Sequence, residues 1–262
     1  MKHFKFSLII TAILLMSVRC YSDDFNNAMI KAKANLKTAL DTYDEKALVK
    51  SRGEFERILQ LKKEQWIVYY YMSLVDYSLA NTGMKNQEKE KIKKFTESGF
   101  AMLDKCLEIK ANFGDAYVLK MALTFNRWVY EQEKMQEIID ASKEADEAAK
   151  KADPENPRYY LMTGISNYYM PEAFGGGMNA AIKNFDKSLE LFQTRKEKEE
   201  YYPDWGRDLL YGYLAMAYIK RNDDGDLAKA KTYLDKGLEY NPTSGFLKTN
   251  VQKDYDEKVK EK

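Results

Sequence analysis

A recurring pairing of small and aromatic residues at helical spacing constrains this chain more than any other feature. It is clearest in residues 209–242, LLYGYLAMAYIKRNDDGDLAKAKTYLDKGLEYNP. Tyr211, Leu214, Ala215 and Tyr218 follow i, i+3, i+4, i+7 spacing and share one face of a helix. A turn at Asn222 to Asp226 follows. A second helix then carries Ala230, Tyr233, Leu234 and Gly237, and Pro242 ends it. Small residues such as Ala215, Ala230 and Gly237 let two helices approach closely, and Tyr211 and Tyr218 fill the gap to a neighbouring helix. One hairpin of this size cannot bury its own apolar face, so hairpins of this kind stack.

Weaker copies of the pattern run upstream. AIKNFDKSLELF places Ala181, Phe185 and Ser188 where Ala230, Leu234 and Gly237 stand. Its partner helix runs from about Pro157 to Tyr169, with Tyr160 and Gly164 in the aromatic and small positions. Ala149 and Pro154 hold the small and terminating positions of the preceding unit, whose first helix carries Tyr117 and Met121. Gly99, Leu103 and Cys106 fall in the same frame, and Trp66 to Leu79 pairs forward with that helix. Phe25 to Leu40 and Lys46 to Leu61 make a first, degenerate pair. With only 5 prolines and 13 glycines, a barrel or sandwich built on many tight turns is excluded. No sustained a/d heptads support a coiled coil, and an ordinary helical bundle is the weaker reading.

This pattern resembles the tetratricopeptide repeat over roughly residues 45–245, with a turn two residues longer than usual in the last unit. The resemblance implies an all-α fold, a right-handed α-solenoid of about five hairpins, that works by binding through its concave face. The expected organisation is a signal peptide over 1–22, a degenerate N-terminal hairpin over 23–62, repeats over 63–247 and a charged tail over 248–262 that acts as a polar cap.

The first residues have the composition of an export signal. Lys2, His3 and Lys5 precede an apolar run from Phe6 to Val18 that is too short to span a membrane. Cys20 and Ser22 suit cleavage after Ser22. Acylation at Cys20, which would tether the chain to a membrane, is disfavoured by Arg19, and a retained anchor is the third outcome. The expected location is therefore the periplasm or cell envelope. Cleavage after Ser22 leaves 39 basic against 41 acidic residues, a net charge of −2, which gives no electrostatic basis for nucleic-acid binding.

Absent residues exclude several chemistries. His3 is the sole histidine, and after cleavage Cys106 is the sole cysteine. No histidine base, Cys–His pair or Cys/His zinc set remains, so neither metal nor cofactor is expected. A carboxylate pair acting as a hydrolase stays formally open, but no spacing among the 41 acidic residues singles one out. The chain is read as a binding protein and not an enzyme.

Registering the repeats puts Tyr70, Tyr77, Phe125, Asn126, Arg158, Tyr168 and Met216 near groove-facing positions, where tyrosine suits a peptide or a small apolar ligand. The loop MPEAFGGGM, Met170 to Met178, is the sharpest irregularity. It lacks the preceding strand and the Gly-Lys-Ser/Thr of a phosphate cradle. Phe174, Gly175 and Gly176 are read as a contact surface, with Phe174 packed over the end of the groove or into a partner. Pro171, Phe174, Gly175, Gly176 and Ala181 are similar to a signature in the T component of TRAP transporters. That resemblance implies an accessory protein associating with a periplasmic solute-binding protein, with oligomerisation as a further expectation. Downstream, EYYPDWGRD joins two helices, and Tyr201, Tyr202 and Trp205 are positioned to staple it to the body.

Overall fold

The computed structural model describes residues 24–261. The expected cleavage and acylation positions lie outside them. Helix α1 spans 24–42. It is followed by α2 Glu45–Leu59, α3 Gln65–Thr82, α4 Lys89–Ile109, α5 Gly114–Tyr130 and α6 Met135–Ala152. Then come α7 Pro157–Tyr169, α8 Met178–Thr194, α9 Arg207–Arg221, α10 Asp226–Tyr240 and α11 Gln252–Lys260. The described residues are all-α. α3 packs on α4, α5 on α6, α7 on α8 and α9 on α10, and successive hairpins stack. The expected stacked-hairpin architecture is what forms.

Local signals set the boundaries. Asp44 caps α2, its side chain accepting from the Lys46 and Ala47 N–H groups at 2.9 and 3.4 Å. Asn156 caps α7 ahead of Pro157, which needs no N–H partner in the first turn. Asn222 ends α9 in the left-handed region at φ 57°.

The helix contacts depend on the small residues. Ala181, Ala215, Ala217 and Ala230 are fully buried. A methyl group on Gly99 would stand 3.0 Å from Leu123, and one on Gly164 would overlap the Phe185 ring. The charged segment at the C-terminal end of the described residues is helical. A π-helical stretch, Phe246–Val251, leads into α11 and buries Leu247 and Val251 against the last hairpin. Leu247 and Val251 are four residues apart, so one face docks while Lys248 and Lys253 stay in water.

Two features turn the stack inward on itself. The twelve-residue connection 195–206 lies as a strap against α1, α3 and α7, the first helices of successive hairpins. At the far end, Asn241 Nδ2 donates to Asp41 Oδ1 and to Asp208 Oδ2, each at 2.8 Å, and Thr243 Oγ1 donates to Asp41 Oδ2 at 2.7 Å. The first helix is thereby tied to the last hairpin.

Gly164→Ala tests the close α7–α8 approach. It should destabilise the protein by about 1–3 kcal/mol, because Phe185 is fully buried and has nowhere to move. Urea titration measures this, and an unchanged midpoint would contradict the packing.

Candidate functional site

The first helix of each hairpin, α3, α5, α7 and α9, faces the concave side, and that side is divided in two along the helix axes. Over the N-terminal turns of α3, α5 and α7 lies the strap. Trp205 Nε1 donates to Tyr70 Oη at 2.7 Å, and Tyr71 Oη donates to the Tyr201 carbonyl at 2.8 Å. The Tyr202 ring meets Trp66 edge-on at 5.5 Å between centroids. Lys33 of α1 donates to the Glu200 and Tyr202 carbonyls at 2.6 and 2.8 Å and pairs with Asp204 at 3.0 Å. The expected stapling by Tyr201, Tyr202 and Trp205 is what the structure contains.

Arg158 anchors the strap from below. It is 1% exposed and grips Asp115 through Nε at 2.6 Å and Nη2 at 3.2 Å. Nη2 also donates to Glu197 of the strap at 2.9 Å, and Arg195 links Glu197 to Asp153. Burial pushes the Asp115 carboxyl up, but the Arg158 guanidinium and the Asn156 amide outweigh it and hold it below its ordinary value.

The C-terminal turns of the same helices stay uncovered and line a cavity of about 560 Å³. Its walls are Tyr77 and Asn81 of α3, Met121, Phe125 and Asn126 of α5, Met162, Ser166 and Tyr169 of α7, and Tyr213 of α9, with Met84 at the edge. Ser142, Lys143 and Asp146 of α6 close one side. A second lobe of about 240 Å³ shares Tyr77, Asn81, Ile165 and Tyr213 and runs on toward Asp41, Trp205 and Phe246. Burial raises the Tyr77 and Tyr213 phenols above their ordinary value, so both remain protonated donors. Among the described residues no buried side-chain nitrogen or oxygen lacks a hydrogen-bond partner.

The sequence-predicted residues separate into four groups. Tyr77, Phe125 and Asn126 line the cavity. Tyr70 and Arg158 do not, although they lie on the expected face. The strap covers both, and their polar groups are spent on Trp205, Asp115 and Glu197. Tyr168 and Met216 line a separate shallow groove beside Lys220 and α11. Phe174, Gly175 and Gly176 sit away from the cavity in the α7–α8 turn. Phe174 is 78% exposed, so it does not pack over the groove. The turn closes without it. The Gly177 N–H donates to the Asn167 and Met170 carbonyls, both at 2.9 Å, and Gly176 fits where a side chain would meet the Met170 backbone.

Met162, Tyr169 and Tyr213 were not singled out in the sequence. Tyr169 follows Met162 by seven residues, the interval that also separates Tyr70 from Tyr77, so helical spacing was the available signal. Cys106 is fully buried, and burial pushes its thiol up to about 12, the state of an inert packing residue. Among the described residues no group of three or more His, Cys, Asp or Glu side chains could hold a metal ion. No helix among them is long and apolar enough to cross a membrane.

The stacked hairpins define an α-solenoid of the tetratricopeptide type. No protein-family model and no curated protein matches the sequence. Solved structures do match by fold. The HusA haemophore from Porphyromonas gingivalis superposes with a TM-score of 0.62 at 20% identity, over 78% of this chain and 95% of that one. TTC0263, a thermophilic TPR protein of Thermus thermophilus, gives 0.53 at 16% identity, over 85% and 98%. Yeast Tom70 gives 0.50 at 15% identity, over 80% of this chain and 38% of its own.

Two sets of variants test this geometry. Arg158→Met leaves Asp115 buried and unpaired and should cost about 3–5 kcal/mol. A loss below about 1 kcal/mol in urea unfolding would show that the pair is not holding the strap. In the turn, Gly176→Ala should lower the melting temperature by several degrees, because the new methyl meets backbone. Phe174→Ala should leave it unchanged, and the opposite ranking would contradict the turn as described.

Proposed function

We propose that this chain is an extracytoplasmic carrier that holds a compact, planar, mostly apolar ligand in its central cavity, with tetrapyrroles of the haem class first among the candidates. One observation carries the reading. The strap occupies half of the concave face, and what remains is an aromatic- and methionine-walled cavity instead of a long open groove. An extended peptide or a partner's helix needs the whole groove, whereas about 560 Å³ is the size of a small-molecule site. The fold likeness to a haemophore supports the choice of ligand class.

The wall suits the ring of such a cargo. Phe125, Tyr77 and Tyr213 offer π-faces, and Met84, Met121 and Met162 offer polarizable side chains that adapt to a flat surface. Toward an iron the wall presents thioethers, phenols and the Asp146 carboxylate, with neither imidazole nor thiolate. Ring-face contacts therefore supply most of the affinity. Titration with haemin and with metal-free protoporphyrin, read by absorbance and by tryptophan quenching, tests this. Saturable one-to-one binding is expected, about five- to tenfold weaker in Phe125→Ala. Absence of saturable binding to both probes would sink the reading.

A second reading rests on Phe174, whose exposed ring is unexplained by the turn. It is the T-component-like role, in which the α7–α8 turn docks on a solute-binding protein. Capture of such a protein from native envelope fractions by the parent and not by Phe174→Ala would favour it. Equal capture by both would exclude that contact.

A further inference from the structure

Charge is distributed unevenly over the cavity. The second lobe is walled by aromatic rings, among them Trp205, Tyr213 and Phe246, and by two carboxylates, Asp41 and Asp208. No lysine or arginine lies in that wall. The nearest cation paired with it is Lys37, which reaches Asp41 at 3.2 Å from the solvent side with a side chain 57% exposed. The other donors to the two carboxylates, Asn241 and Thr243, are neutral. An anion driven into this lobe would face two like charges across an apolar wall with no counter-ion inside.

The first lobe differs. Its two charged residues are Lys143 and Asp146. Asp146 accepts from Tyr159 Oη at 3.0 Å. Lys143 makes no ion pair among the described residues, whereas Lys120, Arg127 and Lys134 are engaged with Asp104 and Glu131. It stands at the solvent edge of α6, where a lysine reaches a ligand while its ammonium keeps some water.

Resting on the carrier reading above, we infer that the cavity selects and orients a planar apolar carboxylate: the acidic edge stays at the α6 rim against Lys143, and the apolar edge enters beneath Tyr213 toward Phe246. The aromatic wall of the second lobe rewards an apolar edge and its carboxylates reject an acidic one, so both ends of the site favour the same direction.

Matched probes separate charge from ring contact. Protoporphyrin, a dicarboxylic acid, and its dimethyl ester share one ring and differ only in the acidic edge. Affinities for both are measured by tryptophan quenching in the parent, Lys143→Gln and Lys143→Glu. Lys143 is exposed and makes no ion pair, so neither variant threatens the fold. For the diacid, Lys143→Gln should bind about three- to fivefold more weakly and Lys143→Glu about tenfold or more. For the ester, all three proteins should bind alike. Equal diacid affinity in all three would overturn the orientation while leaving the carrier reading standing, as would an equal loss for diacid and ester. Failure of the parent to bind either probe would overturn both.

Discussion

A guanidinium enclosed away from water has to be neutralised where it sits, and Arg158 meets that demand with Asp115 from α5 and Glu197 from the strap. The consequence reaches beyond the pair. Glu197 draws residues 195–206 down onto the N-terminal turns of α3, α5 and α7, and the aromatic residues that follow complete the cover. Trp205 reaches Tyr70, Tyr202 reaches Trp66, and the Arg158 guanidinium itself lies 5.8 Å from the Trp205 ring centre. A solenoid that would otherwise present one long groove presents a cavity at the C-terminal turns of α3, α5 and α7. The likeness to a haemophore and to TPR proteins is one of fold, and this internal occupant of the groove sets how much of the face is left uncovered.

The closure at the opposite edge works by the same logic with neutral donors. One amide, Asn241, serves two carboxylates, one on α1 and one on α9. This holds the first helix against the last hairpin and gives the second lobe its negative wall. The groups that close the ring therefore also line the space that the ring encloses.

The hairpins were legible in the sequence because their cause is local. A glycine or alanine one turn from a tyrosine states how close the next helix comes, and Gly164 against Phe185 is that statement made physical. Tyr77, Phe125 and Asn126 were legible for the same reason, since helical spacing fixes which face a residue occupies. Tyr70 and Arg158 were placed on the same face, but which part of it would be covered depends on a segment that begins well downstream, with Glu197 39 residues beyond Arg158. Periodicity carries no record of such a contact. Phe174 does not pack over the groove, for a different reason. The turn around it is closed by backbone hydrogen bonds and by the small volume of Gly176, so its ring is not needed to hold the hairpin.

The strap must be part of the folded core for a ligand to be confined to the C-terminal turns of α3, α5 and α7. Amide hydrogen exchange with and without a bound porphyrin tests this directly. The Tyr202 amide, which donates to the Glu199 carbonyl, should be protected in the free protein and gain nothing on binding, while the last turns of α5 and α7 gain protection. Rapid exchange at Tyr202 in the free protein, slowed when ligand is added, would contradict this: the strap would then be a lid over one continuous groove.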